Sequence, residues 1–509
     1  MAAAIVRCGG SGGIRRPVRT RLAPITEEAS LSALVSSFVV ASKSEIRRLR
    51  SSAQVARAWS RLRRSGTALV VLTMLILPVC CIAQDSSLRV LTGKTEALQV
   101  RIDLIQRAEQ TIDLAYYAID TDEVPVAIME LLRQASVRGV RVRMLVDGLK
   151  SRLPSKFEQY LRGYGIQVRV YHPIHQGNRQ WLNRRLHSKL IVVDAGAAVI
   201  GSRNLENEYY EFDEGRNFVD CDAFVAGEIA RQSQAYFNWL WDSPDVTPAP
   251  QRDSLGLDIL NYRPYGRTAW KKTWRDAEEP ADYQRLLDQA LERVFCRFGL
   301  QSDSERDWMA DALHGVSMRL LHDCATDKSE DRVQRGIVRM MDDAKCSLLI
   351  ESPYPAFDRP IRSAISRARQ RGVCVTILTN SLESTDHVNV YAAYQNQKRS
   401  LLREGVHLRE FCGKDTLHAK SMIVDQTSWM LGSYNFDARS DNLNLELCIV
   451  SNDPAGAAQL RSRVQARHAK STPVTAGKLI LQVGQNASLL KRARLVVKRT
   501  VIELYRGFL

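Results

Sequence analysis

The 509-residue sequence has no Cys-x-x-Cys pair, and none of its ten cysteines stands beside histidines at zinc-ligand spacing. Neither a structural zinc site nor a disulfide framework is implied. Cys80 and Cys81 end an apolar run in the manner of a lipoprotein box, but Val79 stands where such a box needs a small residue. The middle of the chain also lacks net charge. Of the formal +16, residues 1–64 carry +10 and residues 485–509 carry +5, which leaves about +1 for the body between them. A protein that grips a nucleic-acid backbone keeps its cations on the domain that does the gripping. No nucleic-acid partner is therefore expected.

Long apolar runs are scarce too. Residues 67–83 form the one stretch of seventeen without a charge, close to the shortest length that spans a bilayer. Arg61, Arg63 and Arg64 before it favour a cytoplasmic N-terminus, with the rest of the chain across the membrane. Cys81-Ile82-Ala83 also fits a signal-cleavage site, and a buried core helix is the third reading. The basic segment 1–66 has no apolar periodicity and is expected to be disordered. At the other end, Leu489, Ala493, Val496, Thr500, Leu504 and Phe508 recur at helical spacing among lysines and arginines. A basic amphipathic helix over 485–509 suits an anionic membrane surface, or else packs on the body with its cations in solvent.

Between these ends the sequence repeats itself. An apolar-periodic helix, the pair Arg138-Gly139 and a buried strand through Asp147 are matched by a second helix, Arg371-Gly372 and a strand through Asn380. β-rich runs at 111–119 and 347–354 precede the helices, and runs at 161–171 and 401–411 follow. Gly139, Gly165 and His187 recur as Gly372, Gly405 and His418, offset by 231 to 240 residues. The expected architecture is α/β: two similar lobes, 95–245 and 332–470, each a mixed sheet flanked by helices and related by a pseudo-twofold axis. Residues 246–331 read as a partly helical linker or insert. A shared site belongs at the junction of the lobes.

The chemistry is concentrated in one repeated pattern. His187-Ser188-Lys189, Asp194 and Gly201-Ser202-Arg203-Asn204 recur with identical spacing as His418-Ala419-Lys420, Asp425 and Gly432-Ser433-Tyr434-Asn435. On a strand, His and Lys two residues apart share a face, so an imidazole and an ammonium reach one phosphate together. Two copies supply a nucleophile and a general acid, with lysines and Asn amides stabilising the non-bridging oxygens. This arrangement requires no metal and no cofactor.

The paired motif is similar to that of the phospholipase D superfamily, over about residues 95–470. That resemblance implies a pocket lined by His187, Lys189, Asn204, His418, Lys420 and Asn435, with Ser202 and Ser433 among the phosphate-binding residues. It places Asp194 and Asp425 in the catalytic motif, although their positions after apolar strand residues point to holding a loop. It also implies a carboxylate that orients each histidine. Glu446 matches one such place, while the first half has Asn217-Phe218-Val219-Asp220, where Asp220 is the substitute. Asn183-Arg184-Arg185-Leu186, Asn207-Glu208-Tyr209, Thr379-Asn380-Ser381-Leu382 and the stretch from Gly432 to Ser440 resemble bacterial cardiolipin synthases, particularly the C type. Tyr391 and Pro355-Ala356-Phe357 depart from that type and bear on donor and acceptor choice. The implied activity is phosphatidyl transfer between phospholipids through a phosphohistidine on His187, with His418 as general acid and base. The implied place is the inner membrane, with the body on the periplasmic side. A hydrolytic phospholipase D, a nuclease on the same lobes and an inactive lipid-binding scaffold are the alternatives.

Overall fold

The computed structural model describes residues 86–151, 153–173, 183–248, 269–300, 306–324, 332–475 and 487–502. The expected disordered segment 1–66, the apolar run 67–83 and the last residues of the basic tail lie outside them.

The first half contains strands β1 (Ser86–Leu91), β2 (Thr111–Tyr116), β3 (Arg141–Asp147), β4 (Gln167–Tyr171) and β5 (Arg185–Leu186). It continues with β6 (Lys189–Val193), β7 (Ala197–Gly201), β8 (Phe218–Val219), β9 (Asp222–Gly227) and β10 (Val246–Pro248). The second half repeats the series as β11 (Met318–His322), β12 (Ser347–Glu351), β13 (Cys374–Asn380), β14 (His407–Phe411) and β15 (Thr416–Leu417). It ends with β16 (Ser421–Val424), β17 (Ser428–Gly432), β18 (Asn444–Leu445), β19 (Leu447–Ser451) and β20 (Ser471–Pro473).

Eight strands of each half form one mixed sheet, in the orders β1-β9-β7-β6-β2-β3-β4-β10 and β11-β19-β17-β16-β12-β13-β14-β20. The two orders correspond strand for strand. In each, three parallel strands continue into antiparallel ones, and β2 faces β3 in parallel but β6 in antiparallel register. The parallel strands β2 and β3 are buried along most of their length because helices and the other lobe cover their faces.

Helices α1 (Lys94–Arg107) and α2 (Glu123–Val137) cover one face of the first sheet, and α3 (Ser155–Gly163) leads into β4. Gly139 ends the approach from α2 at φ +96°, a left-handed conformation that a side chain resists. Helix α4 (Glu228–Trp241) follows β9. The insert supplies α5 (Ala269–Asp276) and α6 (Pro280–Phe298), whose Trp270, Trp274, Tyr283 and Leu286 join the first lobe's core. Trp270 Nε1 donates to the Thr121 carbonyl at 2.8 Å, so this part of the insert packs on the body.

The second half carries α7 (Arg332–Asp343), α8 (Arg359–Gln370), α9 (Val388–Arg403), α10 (Ala438–Asn442) and α11 (Pro454–Ala469), and α12 (Leu489–Val501) closes the described chain. The lobe boundaries read from sequence move outward at all four ends. β1 and β10, outside 95–245, belong to the first sheet, and β11 and β20, outside 332–470, belong to the second.

Strand alternation sends Ile112, Leu114 and Tyr116 to the helices and Ala115 to the inner face. That inner face meets the other lobe: Leu145, Leu190, Val192 and Ile200 pack in one cluster with Leu417, Ile423, Trp429 and Leu447. The lobes therefore share a core, and the histidine segments stand at its edge.

Candidate active site

Each histidine lies one residue past a two-residue strand, and that strand pairs with the other lobe. β5 runs parallel to β18 with Leu186 opposite Leu445, while β15 runs parallel to β8 with Leu417 opposite Val219. The exchange continues one residue further. His187 donates its backbone N–H to the Leu445 carbonyl at 3.0 Å, and His418 donates to the Val219 carbonyl at 2.8 Å. The next residue on each partner strand is a carboxylate. Glu446 Oε2 lies 2.9 Å from His187 Nδ1, and Asp220 Oδ1 lies 2.8 Å from His418 Nδ1.

Each imidazole is thus oriented from the opposite lobe. An ionised carboxylate only accepts, so Nδ1 carries the proton and Nε2 turns its lone pair outward. Asp220 fills the position with a shorter side chain because β8 and β15 hold its backbone beside that of His418.

The two sides are supported unequally. Glu446 also accepts from the hydroxyls of Ser433 and Ser440 and from Asn444 Nδ2, so four donors converge on its two oxygens. Asp220 Oδ2 is buried and has no hydrogen-bond partner.

The lysines complete the cluster. Lys189 Nζ donates to the His187 carbonyl at 2.6 Å, while Lys420 Nζ lies 2.9 Å from His418 Nε2. All four side chains are buried, as are both carboxylates. Burial pushes the His187 imidazole down to about 3, with the two lysines adding to the effect and Glu446 opposing it. His418 shifts the same way, through burial and the adjacent Lys420. Burial and the neighbouring Lys420 charge also drive Lys189 well below the usual range, and burial takes Lys420 down to about 8 against the pull of Asp220 and Glu446. For Glu446, burial opposes ionisation, but His187, Lys189 and Ser433 outweigh it and hold the carboxyl at about 2. The pocket therefore holds two imidazoles and two lysines whose charged forms are all disfavoured by burial. An anionic phosphodiester is a ligand that relieves this condition, because its charge favours protonated lysine and imidazolium.

Residues 101–241 and 337–467, more than half of the chain, match the family model described as cardiolipin synthase, PLD-like domain. The chain belongs to this family. The two matched blocks fall on the two lobes, and the family places the protein among phospholipid-modifying enzymes of the phospholipase D superfamily. Among curated relatives, cardiolipin synthase C of Escherichia coli is 27% identical over 393 residues, covering 70% of this chain and 79% of its own. An uncharacterised Helicobacter pylori protein is 25% identical over 393 residues, covering 72% of this chain and 76% of its own. The crystal structure of phosphatidylserine synthase from Haemophilus influenzae superposes with a TM-score of 0.60 at 16% identity, over 83% of this chain and 95% of that one. At that identity the likeness concerns the fold.

The remaining motif residues of this PLD-like chain divide between the pocket and its frame. Asn204 and Asn435 are buried. Asn204 Nδ2 donates to the Tyr209 hydroxyl at 2.8 Å, and the amide oxygens of both residues lack a partner.

Ser202 and Ser433, expected to bind phosphate, have hydroxyls engaged elsewhere. Ser202 Oγ donates to the Cys221 carbonyl at 3.0 Å and accepts from the Cys221 N–H, while Ser433 Oγ bonds Glu446 and accepts from the Leu447 N–H. Their glycine neighbours explain the placement. A Cβ at Gly201 would meet Asp222 Cα at 2.5 Å, and one at Gly432 would meet the Leu447 carbonyl at 2.4 Å. The strand must pass this close to its neighbour, which turns each serine toward that neighbour.

Asp194 and Asp425 are not brought to the pocket. Each follows the strand that begins at or next to Lys189 or Lys420, about 16 Å along at 3.3 Å per residue. Asp194 accepts from the backbone N–H groups of Glu109, Gln110 and Thr111, and Asp425 accepts from those of Lys345, Cys346 and Ser347. Both hold the start of the neighbouring antiparallel strand, β2 for Asp194 and β12 for Asp425.

Sequence reasoning missed the aromatic walls. The Tyr117 ring meets His187 edge-on at 4.8 Å, and its face lies 4.9 Å from Lys189 Nζ. His418 is flanked by Phe218 at 5.0 Å, Tyr209 at 5.3 Å and Tyr354 at 6.3 Å. Tyr117 lies one residue beyond β2 and Tyr354 three beyond β12, so the register of the repeat did not mark them as a pair. Among the described residues no group of three or more His, Cys, Asp or Glu is placed to hold a metal ion.

Proposed function

We propose that the protein is a phosphatidyltransferase that makes cardiolipin, carrying the phosphatidyl group on His187. The observation that supports this reading is the reciprocal Nδ1–carboxylate pairing, which leaves two Nε2 atoms from opposite lobes for one phosphodiester. No described residue hydrogen-bonds His187 Nε2, whereas Lys420 Nζ sits 2.9 Å from both ring nitrogens of His418. The lone pair available for attack is therefore that of His187.

In the first step His187 Nε2 forms the N–P bond, the P–O bond to the departing headgroup alcohol breaks, and His418 Nε2–H protonates the leaving oxygen. In the second, an acceptor hydroxyl gives its proton to His418 and attacks phosphorus, and the N–P bond breaks. Substrate binding charges His418 for the first step, because the phosphodiester anion favours the imidazolium. Lys189 and Lys420 stabilise the charge on the non-bridging oxygens, and their burial strengthens that interaction.

The donor is phosphatidylglycerol or phosphatidylethanolamine, and the acceptor is a headgroup hydroxyl of phosphatidylglycerol. The proposed location is an anionic membrane surface on the periplasmic side of the inner membrane, with residues 67–83 as anchor or signal. Among the described residues no helix is long and apolar enough to cross a membrane.

The test is expression in cells that lack cardiolipin, followed by lipid extraction. Cardiolipin appears with the native chain and is absent with His187→Ala and with His418→Ala. Phosphatidic acid in place of cardiolipin would make the protein a hydrolase instead. A cellular role that survives both substitutions would favour a scaffold.

A further inference from the structure

Large apolar side chains that remain exposed are few among the described residues, and four of the seven lie on α12: Leu489 at 82%, Leu490 at 62%, Val496 at 70% and Val497 at 64%. The helix is nevertheless docked. Leu495 and Ile502 are buried in the second lobe's core, Arg499 Nε donates to Asn396 Oδ1 at 3.2 Å, and Ser488 caps the N-terminus by accepting from the Lys491 N–H. Docking therefore uses one face and leaves the other unused.

The unused face has a definite composition. On a helix that turns about 100° per residue, Leu489, Leu490, Ala493, Val496 and Val497 fall within one arc of about 120°. Arg494 and Lys498 border that arc on one side, and Arg492 and Arg499 border it on the other. Residues 489–502 contain five cations and no acid. An apolar stripe between two cationic borders matches a lipid surface of acyl chains under anionic headgroups, where Lys and Arg reach outward from a helix lying in the plane.

The helix also begins at the rim of the pocket. Lys491 Nζ donates to the carbonyls of Glu383 at 3.0 Å and Thr385 at 2.6 Å, the same carbonyls that Arg216 holds from the first lobe. The next residue, Asp386, accepts from the Tyr354 hydroxyl at 2.7 Å, and the Tyr354 ring faces His418. Leu149, exposed at 44%, stands just past β3, next to Lys150, whose ammonium lies 5.9 Å from the Tyr117 ring. Exposed apolar side chains thus occur at the rim in both lobes.

We infer that α12 is an interfacial docking helix that lays its apolar stripe into an anionic phospholipid surface and so brings the pocket rim to the lipid. The inference builds on the lipid-substrate reading above but is tested without turnover. Full-length protein is reconstituted in vesicles of phosphatidylcholine and phosphatidylglycerol containing a photoactivatable phosphatidylglycerol, and labelled peptides are mapped by mass spectrometry. Label is expected on residues 487–502, reduced about tenfold or more in vesicles of phosphatidylcholine carrying a photoactivatable phosphatidylcholine. The same loss is expected with Leu489→Ser, Leu490→Ser, Val496→Ser and Val497→Ser combined, while label elsewhere on the chain persists. His187→Ala should label like the native chain, which separates this test from the activity. An unlabelled α12 beside labelled peptides elsewhere would overturn the inference. So would label that ignores the serine variant, or a stable dimer in detergent that this variant alone dissociates, since the stripe would then bind a second copy of the chain.

Discussion

Removing either orienting carboxylate should abolish transfer, but the two losses should differ in stability. In Glu446→Ala, four buried donors lose their acceptor at once: His187 Nδ1–H, the hydroxyls of Ser433 and Ser440, and Asn444 Nδ2–H. An unsatisfied buried donor costs about 1–3 kcal/mol. The two hydroxyls can rotate and a water can enter the space left, so the net cost is about 3–6 kcal/mol rather than the full sum. In Asp220→Ala only His418 Nδ1–H is stranded, because Asp220 Oδ2 has no partner to lose. That change should cost about 1–3 kcal/mol. Denaturant unfolding of the detergent-solubilised protein measures both, and a labelled-lipid transfer assay at low temperature shows that activity falls at least about a hundredfold in each. Equal destabilisation, or a larger loss for Asp220→Ala, would refute the reasoning from donor count.

Three further outcomes follow from the same site. Asp194→Ala and Asp425→Ala should each lower stability by about 1–3 kcal/mol while kcat of the folded fraction stays within about twofold, because these side chains hold strand backbones away from the pocket. Transfer should decline as pH rises through about 8, where Lys420 loses its proton, and Lys420→Arg should remove that alkaline limb in whatever activity it retains because guanidinium does not titrate there. His187 is neutral in the fold down to about 3 but protonates near 6.5 when unfolded, so between these values the unfolded chain binds more protons and stability falls with falling pH. His187→Gln should flatten that part of the stability profile, as read by denaturant midpoints from pH 7 to pH 4.

The two lobes were legible because their repeat is written in buried strands: residues 141–147 and 374–380 are apolar-rich, largely buried segments that each follow a glycine stop. β11 escaped notice for the opposite reason. Its five residues, Met318 to His322, lie in a polar insert, and as an edge strand it pairs only with β19, so no periodicity marks it. The histidines and lysines followed from spacing, and Asp220 only from the resemblance to the phospholipase D superfamily. The crossing of the carboxylates between lobes did not, because it depends on the pairings of two-residue strands, which no periodicity reveals. Spacing also could not tell which way Ser202 and Ser433 turn. That direction is set by close passage of the strand at Gly201 and Gly432, a property of the neighbouring strand rather than of the motif. The stripe of Leu489, Ala493 and Val496 was visible as a period, yet the side that docks is carried by Leu495 and Ile502.

The account stands on one covalent intermediate shared by two lobes. Brief exposure of the full-length protein to phosphatidylglycerol labelled in its phosphate, followed by alkaline quenching and peptide mapping, tests it directly. The expected result is label on the peptide that contains His187, accumulating when His418→Ala slows the second step with a donor whose leaving group needs no proton. Label on His418 alone would reverse the two roles, and turnover without label on either histidine would contradict the account.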